Sequence, residues 1–434
     1  MEIKRDFYLN KLIDKKWNKR IKIITGLRRV GKSYLLFNLF KNHLLKERVS
    51  EDEIITFAFD NAEDLRILEN YLPEQKTLLG KQGRHNLSVN HLKFIEFILS
   101  KTKDKTKKYY ILLDEIQLLE YFVFVLNGLL RHENFDIYVT GSNSKLLSKD
   151  IVTEFRGRGD AVHLYPLSFK EYFNSLNVDF DAAFFDYAYF GGMPIVLLEK
   201  TAEDKQRLLK SLFKEIYIKD IAEYNSLKNV DAFSQLLETL ASQIGSLTNP
   251  NKLANTFMSK IKVNYNNETI KSHIEYIKNA FLLNEAKRYD IKGKKYIGAG
   301  SKYYFADSGL RNALINFRQI ESTHILENIV YNELILNGFN VDVGGVTVNE
   351  KTELGTKKKE LEIDFVCNKL NERIYVQVAF SLADLDKLNQ EKRSLMQVKD
   401  NFRKIIVVQQ NIHKYFTEDG IEIISLKDFL LKGI

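Results

Sequence analysis

Residues 26–33, Gly-Leu-Arg-Arg-Val-Gly-Lys-Ser, fit the spacing G-x-x-x-x-G-K-[ST] at every fixed position. Each fixed residue has a task in holding a polyphosphate. Gly26 and Gly31 let backbone N–H groups wrap the phosphates, Lys32 reaches the β and γ oxygens, and the Ser33 hydroxyl ligates Mg²⁺. Leu27, Arg28, Arg29, Val30 and Tyr34 complete the stretch expected to contact nucleotide. A second set follows in "KKYYILLDEIQLL": Asp114 is placed to hold the Mg²⁺ through its water shell, and Glu115 to polarise an attacking water. ATP and Mg²⁺ are the expected cofactors, and ATP hydrolysis the expected reaction.

Those residues need particular elements beneath them. "IKII" ahead of the loop reads as a buried strand, and Leu36, Leu39, Phe40 and Leu44 behind it recur at helical spacing. The loop then lies at a strand-to-helix junction, where a helix N-terminus favours an anion. Tyr110 to Leu113 form the apolar run that delivers Asp114 and Glu115 to a strand tip. A third strand in "FDIYVTGSNSKLL" is expected beside it, ending in Thr140, Gly141, Ser142 and Asn143. Ser142 and Asn143 are the candidates to sense a γ-phosphate or the lytic water; capping the following helix is their other role, compatible with the first. Arg156 and Arg158 bracket a glycine before a last strand, "AVHLYPL". They suit a surface salt bridge or an arginine reaching a neighbouring subunit's γ-phosphate.

The whole chain sets outer limits. Its 434 residues exceed one ordinary core, and 44% hydrophobic residues can build several. A formal charge of +8 is a mild basic excess that leans toward an acidic partner without establishing one. The single cysteine, Cys367, excludes an intramolecular disulfide and points to a reducing, cytoplasmic setting. The N-terminal residues lack the apolar run of a signal peptide, and no stretch approaches the length of a membrane span, so no membrane association is expected.

"TGLRRVGKS", "LLDEIQ", "VTGSNSKLL" and "RGRGDAVHLYPLSFKEY", in that order, resemble a family of bacterial and archaeal AAA+ ATPases with paired arginines in the P-loop. The C-terminal half of that family is a domain of uncharacterised function. Its habits recur here in "YFGGMPIVL", "YIKDIAEYN", "KYYFADSGLRNAL" and "ENIVYNELILNGF". The resemblance implies an ATP hydrolase that works as a homo-oligomer, and makes Arg158 the better arginine finger.

The expected fold class is α/β: a P-loop AAA+ core with a parallel sheet over 1–167, a helical lid or linker over 168–245, a winged helix-turn-helix over 246–320, and a nuclease-like α/β domain over 321–434. Within 246–320, Leu253 and Phe257 share one helix. Ile270, Ile274, Ile277 and Phe281 line the next, with Thr269 as its expected cap. Lys271, Ser272, His273 and Lys278 fall opposite the apolar face, and a hairpin with its tip at "KGKK" reads as a wing. Lys271, Lys292, Lys294 and Lys295 are the expected DNA phosphate contacts, and His273 a plain surface residue. Winged helices also serve as protein-binding modules.

In 321–434 the expected order is helix, three strands, helix, strand. Glu327 on the helix, Asp364 on "LEIDFVC" and Gln377 on "RIYVQVAF" resemble the metal site of restriction-endonuclease-like folds. The lysine of that pattern is missing, because Ala379 stands in its place, and Gln377 brings no charge. An inactivated nuclease-like module is expected, with cleavage requiring Lys387 or Lys392 to enter the site. Two functions follow: an ATPase acting on duplex or branched DNA, or a signalling ATPase whose nucleotide state gates protein partners without DNA.

Overall fold

The computed structural model describes residues 3–69, 89–141, 155, 157–261, 265–318, 321–352, 355–382 and 384–434. Ser142, Asn143 and Arg156 lie outside them. The chain divides into two compact units, Glu2–Tyr165 and Pro166–Ile434.

The N-terminal unit is built on five parallel strands: β1 (Ile21–Gly26), β2 (Ile54–Ala58), β3 (Tyr109–Asp114), β4 (Phe135–Thr140) and β5 (Gly159–Leu164), in the spatial order β2-β3-β4-β1-β5. Every residue of β1, β3 and β4 is buried, as expected for a parallel sheet covered on both faces. Ile23, Ile111, Leu113, Ile137 and Val139 join Phe57, Phe94, Phe97 and Leu126 in its core. Two polar residues inside the sheet satisfy each other. Lys22 and Asp136 form an ion pair, and the Tyr138 hydroxyl and the Trp17 backbone N–H also donate to that carboxylate. After the loop, one helical run starts as α-helix over Lys32–Tyr34. It widens to a π-helix over Leu35–Phe40 and returns to α-helix over Lys41–Lys46, burying Leu35, Leu36, Phe40 and Leu44.

The C-terminal unit begins with helices. Phe180–Phe190 ends at Gly191, whose φ of 78° turns the chain into Gly192. The "FADSGLRNAL" segment explains that glycine pair. Asp307 Oδ2 accepts the Gly192 N–H at 2.7 Å and Oδ1 caps the helix Ser308–Leu314 through Leu310 N–H at 2.9 Å, while Asn312 donates to the carbonyls of Ala188 and Tyr189. A Cβ on Gly191 would fall 2.2 Å from Asp307. Both motifs are one buried clasp at the end of a helix.

Eight strands follow: β6 (Leu283–Asp290), β7 (Lys295–Phe305), β8 (Asn340–Thr352), β9 (Gly355–Lys369), β10 (Glu372–Ala379), β11 (Arg403–Val408), β12 (Tyr415–Phe416) and β13 (Glu422–Ser425). They form one sheet in the order β12-β13-β11-β10-β9-β8-β6-β7. This departs from the expected arrangement in two ways. The β6–β7 hairpin is not a free wing but the margin of this sheet, since Arg288–Asp290 pair in parallel with Val343–Gly345. Beyond β11, β12, β13 and the helix Leu426–Lys432 extend the expected order.

Candidate functional site

Gly26 ends β1 with φ 144°, and a Cβ there would meet the Leu164 carbonyl at 2.3 Å. Gly31 has φ 97° and precedes the first helical turn, which any other residue would enter under strain. Leu27 and Val30 are buried and anchor the loop; Arg28, Arg29, Ser33 and Tyr34 are exposed around it. The first helical N–H groups have no partners within their own helix and point out of its N-terminus, the arrangement that holds a phosphate.

Lys32 is only 5% exposed, and its ammonium donates to the carbonyls of Gly26 at 3.1 Å and Leu27 at 2.9 Å. Burial pulls its pKa down to about 8, against the upward pull of Glu115 and Asp114. Asp114 arrives from the tip of β3, where the Ser33 and Thr140 hydroxyls both hydrogen-bond its carboxylate. Its pKa is raised, by burial first and by the charges of Glu115 and Asp60 as well, while the two hydroxyls work in the other direction. Glu115 follows in a left-handed conformation, φ 53°. Its N–H is fixed on Thr140 Oγ1 at 3.2 Å, and its carboxylate is held by the Gln117 amide. A hydroxyl and a carboxylate meeting in front of a lysine form an oxygen donor set of the kind Mg²⁺ prefers.

The structure therefore brings Lys32, Ser33, Asp114 and Glu115 together. It also gives Thr140, expected at the tip of the third strand, a role the motifs did not assign, and adds Asp60 and His163. Thr140, at the end of β4, hydrogen-bonds the Asp114 carboxylate and accepts the Glu115 N–H. Parallel pairing of Leu113 with Val139 sets it opposite Asp114. Asp60 follows β2 next to Asp114, whose carbonyl accepts the Phe59 N–H at 3.1 Å. Behind the loop, Thr25 Oγ1 lies 3.1 Å from His163 Nδ1, and burial together with the Lys32 charge pushes that imidazole down to about 4.

Arg158 is not part of this cluster. It precedes β5, pairs through its carbonyl with Ile21 at the start of β1, and contacts Asn127 at 3.3 Å. The six residues of β1 separate that end from the loop by about 17 Å at a strand's rise per residue.

The expected DNA contacts are scattered in the C-terminal unit. The helix Asn267–Asn279 is capped by Asn266, not Thr269: the Asn266 side chain accepts the Thr269 N–H at 2.8 Å. His273 is buried against Phe233 and Tyr265 rather than on the surface, because its ring completes an aromatic cluster. Lys271 pairs with Glu268, and Lys278 with Glu275 and Glu285, so the helix is less basic than its sequence suggests. Lys292 donates to the Thr347 carbonyl at 2.8 Å, while Lys294 and Lys295 stand exposed beside it near the hairpin tip. A groove of about 560 Å³ between hairpin and helix is lined by Asn251, Lys271, Glu275, Lys287, Arg288 and Tyr296 among others.

Glu327 and Asp364 do converge, and Gln377 lies beside them: Asp364 N–H points to Gln377 Oε1 at 3.4 Å. Neither expected lysine joins them. Lys387 pairs with Glu391 and Lys392 with Asp419. The ammonium in the cluster is that of Lys302 from β7, bound to Glu327 at 2.9 Å and Glu362 at 2.6 Å. Asp364 is held well above the usual carboxylate range, by burial first and by the Glu327 and Glu362 charges too.

One family match falls on the N-terminal unit. A family described as "AAA domain" matches residues 18–173, and a domain of unknown function, DUF8612, matches residues 181–321. An uncharacterized protein of Haemophilus influenzae is 34% identical over 99% of both chains. One of Methanocaldococcus jannaschii is 28% identical over 94% of this chain and 85% of its own. Among solved structures, the Aeropyrum pernix ORC1 protein in complex with DNA matches 73% of this chain and 93% of its own, at 13% identity and a TM-score of 0.33. Hsp104 of S. cerevisiae with ADP matches 77% of this chain and 42% of its own, at 11% identity and the same TM-score.

Proposed function

Because the chain belongs to the family of its full-length Haemophilus influenzae relative, with an AAA domain at its N-terminal end, we propose that it is a Mg²⁺-dependent ATPase of the AAA+ class that acts on, or while bound to, DNA. The observation that carries the ATPase reading is the meeting of the Ser33 hydroxyl with Asp114, in front of Lys32 and beside Glu115. Ser33 and Asp114 would hold Mg²⁺ beside the nucleotide, where it would supply positive charge against the phosphates. Lys32 exchanges the two loop carbonyls for phosphate oxygens. Glu115, fixed by Gln117 and by its N–H on Thr140, accepts the proton of the attacking water at its carboxylate. Arg158 lies too far from its own loop to stabilise the γ-phosphate there, so it serves the loop of a second copy in a homo-oligomer.

The DNA reading rests on the exposed Lys294 and Lys295 at the hairpin and on the groove that Lys271 and Lys287 line. A second reading, a switch that gates protein partners, draws support from the ion pairs that already neutralise Lys271, Lys278 and Arg288. One experiment separates them. ATPase turnover is measured alone and with single-stranded, duplex and four-way-junction DNA, and DNA affinity is followed against salt. Stimulation by one DNA form, with an affinity that falls steeply as salt rises, supports the first reading. Turnover indifferent to every DNA supports the second.

A further inference from the structure

A nuclease-like reading of residues 321–434 implies a divalent cation between Glu327 and Asp364, and the residues around them do not fit one. Lys302 is buried, and its Nζ lies 2.9 Å from Glu327 Oε1 and 2.6 Å from Glu362 Oε1. The Tyr304 hydroxyl donates to the same Glu327 oxygen. A Cβ added at Gly245 would stand 3.4 Å from the other Glu327 oxygen. Asp364 Oδ2 is taken by the Val378 N–H at 2.8 Å. Gln377 turns its carbonyl to the Asp364 N–H and its amide toward Glu391 at 3.5 Å. Among the described residues no group of three His, Cys, Asp or Glu side chains is arranged to hold a metal ion.

We propose that the Lys302 ammonium stands in for the divalent cation, so that Glu327, Glu362 and Asp364 gather round an internal cation and the site excludes metal. One oxygen of each carboxylate is already engaged: Glu327 Oε1 by the ammonium and a phenol, Glu362 Oε1 by the ammonium, and Asp364 Oδ2 by a backbone N–H. An incoming cation would also stand within a few ångströms of the ammonium, a repulsion that low dielectric magnifies. The cation is supplied from β7, the strand at the margin of the sheet, and it joins that strand to Glu327 on the helix Ser322–Leu336 and to Glu362 on β9. The site is therefore closed by the same contact that pins the hairpin.

Mn²⁺ binding to the full chain without nucleotide, read by electron paramagnetic resonance, tests this. Wild type and Asp364→Asn are expected to bind the same number of ions. Lys302→Met, of similar length and without charge, is expected to gain a Mn²⁺ site at least roughly tenfold tighter than any shared with wild type, and to lose it again in Lys302→Met/Asp364→Asn. A cooperative melt establishes that each variant is folded. Lys302→Arg, which keeps the charge, is expected to gain none. A wild-type Mn²⁺ site lost in Asp364→Asn, or a folded Lys302→Met that gains no site, would overturn the proposal.

Discussion

Each unit holds a buried lysine near several acids, Lys32 in one and Lys302 in the other, and the two are put to opposite uses. Lys32 donates to two backbone carbonyls, which return no charge, and burial outweighs Glu115 and Asp114 to bring its pKa down to about 8. Lys302 is equally buried and pulled down by burial too, but Glu327, Asp364 and Glu362 together lift it above its ordinary value. The first ammonium is poised to exchange weak partners for phosphate oxygens; the second is already neutralised. Similar residue types thus make a ligand site in one unit and a structural tie in the other, and the difference lies in whether the lysine's partners carry charge.

Substitution at the two lysines gives the widest contrast. Lys32→Met is expected to lower kcat/KM for ATP by about 10³ or more, as loss of a charge aimed at a transferring phosphoryl group does, while leaving urea stability undiminished. Lys302→Met is expected to lower urea stability by about 4 kcal/mol, because Glu327 keeps its burial without its counter-charge, and to leave ATP turnover unchanged. Reversal of the two effects would break the comparison.

Asp307 extends the comparison to a buried carboxylate with backbone N–H partners and no lysine. Burial raises its pKa to about 6. The folded state therefore binds its proton more tightly than the unfolded chain. The stability this contributes is full below the unfolded value near 4 and is lost as pH rises through 6, about 3 kcal/mol in all. Asp307→Asn should remove that dependence, so the stability gap between wild type and variant should change across pH 4 to 6 and level off above. A gap that stays flat with pH would show that the carboxylate titrates normally.

The smallest effect is expected at Thr140. Thr140→Val removes a hydroxyl from Asp114 and an acceptor from the Glu115 N–H, and should cost about tenfold in turnover. It should also move the acidic limb of the pH–rate profile upward, since Asp114 loses a bond that holds its pKa down. An unshifted limb would remove Thr140 from the site.

How much of this was legible in the sequence follows from how far apart the partners lie along the chain. The loop from Gly26 to Ser33 is contiguous, and Asp114 and Glu115 end an apolar run, so local pattern was enough. Thr140 was expected at the tip of a strand beside the acids, but its bonds to both, and the approach of His163 and Asp60, come from the pairing of parallel strands, which no local pattern specifies. Ser33 and Asp114 needed a motif to link them; Lys302 and Glu327 had none. Lys302 also lay in a hairpin read as a separate wing, and the continuity of β6 with β8 is a tertiary fact. His273 was misjudged against its own spacing: three residues after Ile270 and one before Ile274, it falls on the buried side of the helix, where Phe233 of another helix covers it.

The central claim, that the N-terminal unit hydrolyses ATP with Glu115 as the base, is tested most directly by steady-state ATPase of the purified protein with Mg²⁺, beside Glu115→Gln and a nucleotide-binding titration of both. The account predicts wild-type turnover that requires Mg²⁺, a loss of about 10² or more in Glu115→Gln, and nucleotide affinity retained in the variant. No hydrolysis by wild type, or equal hydrolysis by the two, would contradict it.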